Sequence, residues 1–245
     1  MPYPIWQLPS PSSDRASASS SVFAERLFVW AGGAIFVASL AATIYVYAVN
    51  WSDARPGPLN RPAALAADGV LIAVFASHHS LFAREGVKSW LGLHLPRHLL
   101  RSFYVWVASL LWLGVVVGWQ TIGGLLFHTS ALLTLVQLTG FVLSWLSVRA
   151  IDPLELAGIR AGDASVGLQT GGPYRLVRHP LYLGWMLMVF GAARMTGDRL
   201  AFAAMTSAYL IVAVPWEERS LERLFGDAYR RYQADVRWRI IPYVY

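Results

Sequence analysis

Apolar runs of about twenty residues recur along this chain, separated by short polar stretches. They fall at 27–49, 63–83, 102–119 and 131–148, each the length that crosses a bilayer as a helix. A shorter run at 181–193 is followed by another at 200–216. Between them Thr196-Gly197-Asp198 reads as the turn of a helical hairpin. Beyond residue 217, Leu221, Leu224, Phe225, Ala228 and Tyr232 keep helical spacing, with Gly226-Asp227 as a break between two short helices. The pattern predicts an all-α fold, a polytopic transmembrane helical bundle of five or six spans. Residues 1–21, rich in Pro and Ser, are expected to be a disordered tail, and 22–245 a single membrane domain.

Composition agrees. The chain is 56% hydrophobic and only 14% charged, against about 25% charged in soluble domains. It has no Cys, which excludes disulfides, a thiol nucleophile and cysteine-ligated metal; no metal site is expected. The net charge is +6, but the cations flank the apolar runs, which points to lipid and not to nucleic acid as the partner. With six crossings, the 20 Lys and Arg divide 16 to 4 between the two sides. The richer side holds both termini and the segments 84–101 and 149–178, so these are expected in the cytoplasm.

Against this apolar background, polar chemistry collects in few places. The densest is Gly172-Pro173-Tyr174-Arg175-Leu176-Val177-Arg178-His179-Pro180-Leu181-Tyr182-Leu183-Gly184-Trp185. Pro180 suits the first turn of a helix. That helix would point unsatisfied N–H groups back at the preceding loop, an anion site. Gly172 allows close backbone approach. Tyr174 and Tyr182 give flat faces, and Arg178 and His179 give donors. The set suits a ligand with a carboxylate and an aromatic part, and it equally suits a basic juxtamembrane loop. Glu217-Glu218 ends the last apolar run, where Glu217 could face a cationic ligand or Arg178. Asp68, His78 and His79 lie inside the second run, with Arg101 and Tyr104 entering the third. They could line a substrate pocket, bind haem or a metal, or form an interhelical hydrogen-bond pair, although adjacent His78 and His79 point about 100° apart and cannot easily ligate one ion.

The segment at 172–185, with Glu217-Glu218, Leu221, Phe225-Gly226, Tyr229 and Tyr232 some 30 residues on, resembles the isoprenylcysteine carboxyl methyltransferase superfamily of integral-membrane S-adenosylmethionine (SAM) enzymes. Upstream, His79-Ser80-Leu81-Phe82-Ala83-Arg84, Lys88-Ser89-Trp90, Arg101-Ser102-Phe103-Tyr104-Val105 and Ile151-Asp152-Pro153-Leu154-Glu155-Leu156 are similar to its bacterial branch of methanethiol S-methyltransferases. The resemblance implies SAM as cofactor, contacted by Tyr174, His179, Pro180, Leu181 and Tyr182, with Glu217 completing the pocket. Gly172, Arg178 and Glu218 join the expected cofactor set, and Gln169 ends a loop, 166–169, that closes one side. The cofactor-binding part then spans about 166–235.

His79, Arg101 and Tyr104 are the substrate-side candidates, with His79 as general base. In the prenylcysteine enzymes an Arg stands four residues before the conserved Glu; here that position is Ala213. The expected acceptor is therefore a small thiol or a neutral or lipidic nucleophile. Phosphatidylethanolamine N-methyltransferases share the Arg-His-Pro signature and leave a lipid amine open as acceptor. Sterol-reductase-like enzymes carry a related motif but follow its Gly with an acid, where this chain has Trp185. A haem-binding isomerase or assembly factor using His78 and His79 is the reading from another class. The bacterial-looking motifs and cytoplasmic cofactor access suggest an inner membrane.

Overall fold

The computed structural model describes residues 11–82, 84–128, 131–151, 153–159 and 167–245. Five helices are long and apolar enough to cross a bilayer: α1 (Pro11–Ala48), α2 (Arg61–Phe82), α4 (Leu100–Gly118), α5 (Ala131–Ala150) and α8 (Gly197–Phe225). Between them lie α3 (Glu85–Leu91), α6 (Pro153–Leu156) and α7 (Pro180–Phe190), and α9 (Asp227–Asp235) follows α8. The all-α membrane bundle is as expected. Helix α1 begins at Pro11, inside the stretch read as a disordered tail, so residue 21 marks no break in the structure. Residues 1–10 lie outside the described residues.

Helix α7 has 11 residues, about 16 Å of rise, roughly half a bilayer's apolar thickness. After α7 the chain forms β2 (Arg194–Thr196), which pairs antiparallel with β1 (Leu125–His128). The sequence reading placed a loop and a turn there. Helix α8 runs unbroken through Pro215 to Phe225, so the first expected tail helix is the continuation of the last span. The break at Gly226 is present, with φ 53°, a left-handed conformation that glycine adopts without strain.

The end of the bundle away from the Arg-His-Pro segment is closed by aromatic packing and a few buried polar groups. The Trp51 ring lies 4.7 Å from Trp119 and 4.8 Å from Phe202, centroid to centroid. Asp198 is fully buried and accepts from Trp119 Nε1, Ile122 N and Gly123 N. Arg199 donates to the carbonyls of Tyr47 and Ala48 at the end of α1 and to Arg194. Asp68 is also fully buried and accepts from Gln120 N at 2.7 Å. Asp68 thus serves the loop after α4 and lies away from the substrate-side candidates.

At the opposite end, α5 and α7 pack almost backbone to backbone. A Cβ on Gly140 would come within 2.6 Å of the Gly184 carbonyl, and one on Gly184 within 2.8 Å of Ser144 N. This close contact fixes α7, and with it the start of the candidate site, against the bundle.

Candidate functional site

The site begins where α7 begins. Pro173 and Pro180 each open a helical segment, the first a 3-10 turn at Gly172–Arg175 and the second α7. Gly172 has φ 58° and open space where a Cβ would point, so the expected backbone access is present. Tyr182 N and Leu183 N both bond to the His179 carbonyl. The helix therefore presents fewer open donors than its proline start suggested.

Three side chains meet at the mouth of the site, and of these only Glu217 is open to solvent. His179 and Tyr182 stack with ring centroids 5.3 Å apart and planes 13° from parallel. The Tyr182 hydroxyl donates to Glu217 Oε2 at 2.7 Å, and His179 Nδ1 lies 3.7 Å from the same oxygen. The Glu217 side chain keeps 43% of its surface open while that of His179 keeps 5%. Tyr174 stands close enough to feel the Glu217 charge. Burial, then that charge, pushes its hydroxyl up to about 12, so the ring stays neutral at physiological pH.

Arg178 and Glu218 sit behind this group. Their side chains meet at 2.6 Å and are nearly sealed from solvent. Arg178 Nη1 also donates to the carbonyls of Val236 and Arg237, and Arg239 Nε donates to the other Glu218 oxygen at 3.0 Å. Both residues stand in the expected cofactor set; their side chains bond to each other and to the C-terminal tail. Burial opposes the Arg239 charge, yet the Glu218 carboxylate outweighs it and holds the guanidinium above its ordinary value. Of the two alternatives for Glu217, a cationic ligand or Arg178, the second is not formed, because Arg178 pairs with Glu218.

The tail was not anticipated as part of the site. The N–H groups of Arg178 and His179 bond to the Trp238 and Arg239 carbonyls, and the Tyr232 hydroxyl bonds to the Tyr174 carbonyl. Ile240 is fully buried with Val177 and Val214. Tyr229 and Tyr232 gave a helical signal, but nothing between 236 and 245 marks the chain's return to residue 178. Pro180 is buried under the same layer, and Leu181 is half-buried. Gln169 is exposed on the loop before Gly172, with no contact to these groups described. Val166, Asp152, Arg160 and Asp163 lie outside the described residues.

The substrate-side candidates do meet. Tyr104 OH and His79 Nδ1 share a short hydrogen bond across α4 and α2. His78 stacks on Tyr104 at 5.6 Å, with both ring nitrogens buried and unbonded. The Arg101 charge acts on Tyr104. Among the described residues no group of three or more His, Asp or Glu side chains gathers as a metal site. Tyr209 of α8, which the sequence reading passed over, sets its ring edge-on to His79 at 6.0 Å and 90°. The Glu217 charge also reaches it. The two halves of the site are therefore neighbours across α8.

Comparison with known proteins gives this arrangement its family. Residues 132–228 match the phospholipid methyltransferase family. Methanethiol S-methyltransferase 2 of Bradyrhizobium diazoefficiens is 35% identical over 202 residues, covering 78% of this chain and 78% of its own. Methanethiol S-methyltransferase 1 of the same organism is 34% identical over 180 residues, 68% of this chain and 63% of its own length. The Mycobacterium tuberculosis methanethiol S-methyltransferase is 34% identical, with 68% of this chain and 74% of its own covered. The chain belongs to the isoprenylcysteine carboxyl methyltransferase superfamily of membrane methyltransferases, in the branch that holds the methanethiol S-methyltransferases. No solved structure matches it.

Proposed function

We propose that this protein passes a methyl group from S-adenosylmethionine to the sulfur of a small uncharged thiol such as methanethiol, giving dimethyl sulfide. The observation that carries this reading is the half-open Glu217 carboxylate, held by Tyr182 beside the His179–Tyr182 stack. A carboxylate framed by aromatic faces suits a ligand that joins a cation to flat rings. His179 Nε2 is buried with only a long 3.5 Å contact to Glu218, and a ligand carboxylate would compete with that contact for its N–H. The open backbone at Gly172 gives room for approach.

S-adenosylmethionine would supply an activated methyl group on a positively charged sulfur. What remains for the chain is alignment, exclusion of water and removal of a proton. An alkyl thiol, like free cysteine with its pKa of about 8.5, is mostly protonated at neutral pH. With His79 Nδ1 donating to Tyr104, the Nε2 lone pair is available to take that proton. Arg101 adds positive charge beside Tyr104 and favours the anionic sulfur. Ala213, one turn before Glu217, offers no cation to a carboxylate substrate. The excess of Lys and Arg near the site favours the cytoplasmic side, and the bacterial relatives favour an inner membrane.

A lipid amine is the second reading, favoured by the match of residues 132–228 to the phospholipid methyltransferase family. Purified protein given methyl-labelled S-adenosylmethionine should label methanethiol in preference to phosphatidylethanolamine and farnesylcysteine. Label in the lipid amine with none in the thiol would replace the first reading by the second.

A further inference from the structure

Tyr209 lies on α8 eight residues before Glu217, about 12 Å along the helix axis. Ala213 falls halfway between them and places only a methyl group there. Glu217 belongs to the cofactor half of the site. Tyr209 belongs to both halves: its ring meets His79 at 6.0 Å and Phe75 at 6.3 Å, edge to face, and its charge environment includes Tyr182, Tyr104 and Glu217.

The Tyr209 hydroxyl oxygen is buried and makes no hydrogen bond of normal length. Ser80, beside His79 on α2, is the hydroxyl near enough to interact with it. A buried phenol with only the Ser80 hydroxyl beside it is costly to keep in an apolar helix bundle. Apolar aromatic packing alone would be served as well by Phe. Phe75 in turn packs on Trp112, with ring centroids 4.8 Å apart. An unbonded donor, a histidine already engaged at Nδ1 and an aromatic wall thus converge at the end of the cofactor group.

We propose that Tyr209 is a catalytic residue whose hydroxyl donates a hydrogen bond to the sulfur of the methyl acceptor, a small uncharged thiol. This rests on the methyl-transfer reading above and adds the group that receives the acceptor. The thiol S–H bond breaks and its proton goes to His79 Nε2. The sulfur's electron pair forms the new C–S bond, and the donor's C–S bond breaks with its electrons left on the donor sulfur. Positive and negative charge cancel as this happens, so the charge on the acceptor shrinks in the transition state. The Tyr209 donor therefore acts by favouring the thiolate and aiming it, and the neutral product loses its hold on the site. His79 and Ser80 of α2, Tyr104 of α4, Tyr182 of α7 and Glu217 of α8 are the polar groups around this position; Arg101 acts through Tyr104.

The test compares the full-length protein with Tyr209→Phe, using labelled S-adenosylmethionine with methanethiol and with the more acidic thiophenol across pH. Calorimetric affinity for S-adenosylmethionine is measured on both proteins. The proposal requires kcat/KM for methanethiol to fall about tenfold or more. The rise of rate with pH must move to higher pH, the defect must be smaller with thiophenol, and cofactor affinity must stay within about twofold. Equal turnover in the variant, an unmoved pH profile, or equal losses with both thiols would overturn it. So would a matching loss of cofactor affinity, which marks a packing role. Tyr209→Met, which keeps bulk without the hydroxyl, must reproduce the Phe result; wild-type activity in either variant defeats the proposal. Wild-type protein that methylates no thiol defeats the underlying reading instead.

Discussion

Arg178 and Glu218 meet at 2.6 Å with side chains 7% and 4% exposed. This buried pair ties the start of α7 to α8 and, through Arg239 and the carbonyls of Val236 and Arg237, to the tail. Breaking such a pair strands a charge and costs about 3–5 kcal/mol. Arg178→Met and Glu218→Gln should each unfold at markedly lower temperature in detergent. Thermal melts at wild-type temperature in both would make the pair dispensable.

Glu217 behaves differently because its carboxylate is half open and meets only Tyr182 and the edge of His179. A charge-assisted hydrogen bond contributes about 1.5–3 kcal/mol. Glu217→Gln should weaken S-adenosylmethionine binding by roughly ten- to a hundredfold with little change in melting temperature. Tyr182→Phe should weaken it less. A melting temperature that falls in Glu217→Gln as far as in Glu218→Gln would mean the two acids share one structural role.

The tail closes the site through backbone acceptors, at Trp238 and Arg239, for the N–H groups of residues 178 and 179. Deleting 236–245 removes those acceptors and buried Ile240 together. Affinity for S-adenosylmethionine should be lost while α1 to α5 still insert and pack, as read by limited proteolysis. Retained affinity would show that the tail only covers the site.

Tyr174 carries a raised pKa of about 12, from burial and then from the Glu217 charge, against about 10 unfolded. Between these values the unfolded phenol is ionised and the folded one is not. Stability from this group is therefore full below about pH 10 and is lost as pH rises towards 12. Tyr174→Phe should flatten the alkaline fall of the melting temperature. An unchanged slope would assign that fall to other groups.

The spans were legible because an apolar run of bilayer length has few other meanings; the runs at 63–83 and 131–148 coincide with α2 and α5 to within three residues. The cluster at the start of α7 was partly legible, since Tyr182, His179 and Glu217 are types that bring chemistry into an apolar chain, and the structure brings the three together. Glu217 and Glu218 could not be told apart: adjacent residues on a helix point about 100° apart, and packing alone decides which is buried. Residues 236–245 carry no periodicity that reveals their return to Arg178. Tyr209 was invisible because one Tyr in a membrane helix looks like packing until its neighbours are known. Asp68 and His79 share a helix face by spacing. Asp68 nonetheless serves the loop at Gln120 while His79 pairs with Tyr104.

If His179 and Glu217 hold the methyl donor, calorimetric titration of S-adenosylmethionine into the purified protein will register the loss of either side chain. The wild type should bind with a single site, and His179→Ala and Glu217→Ala should each lose at least about tenfold in affinity. Unchanged affinity in both variants would contradict the account.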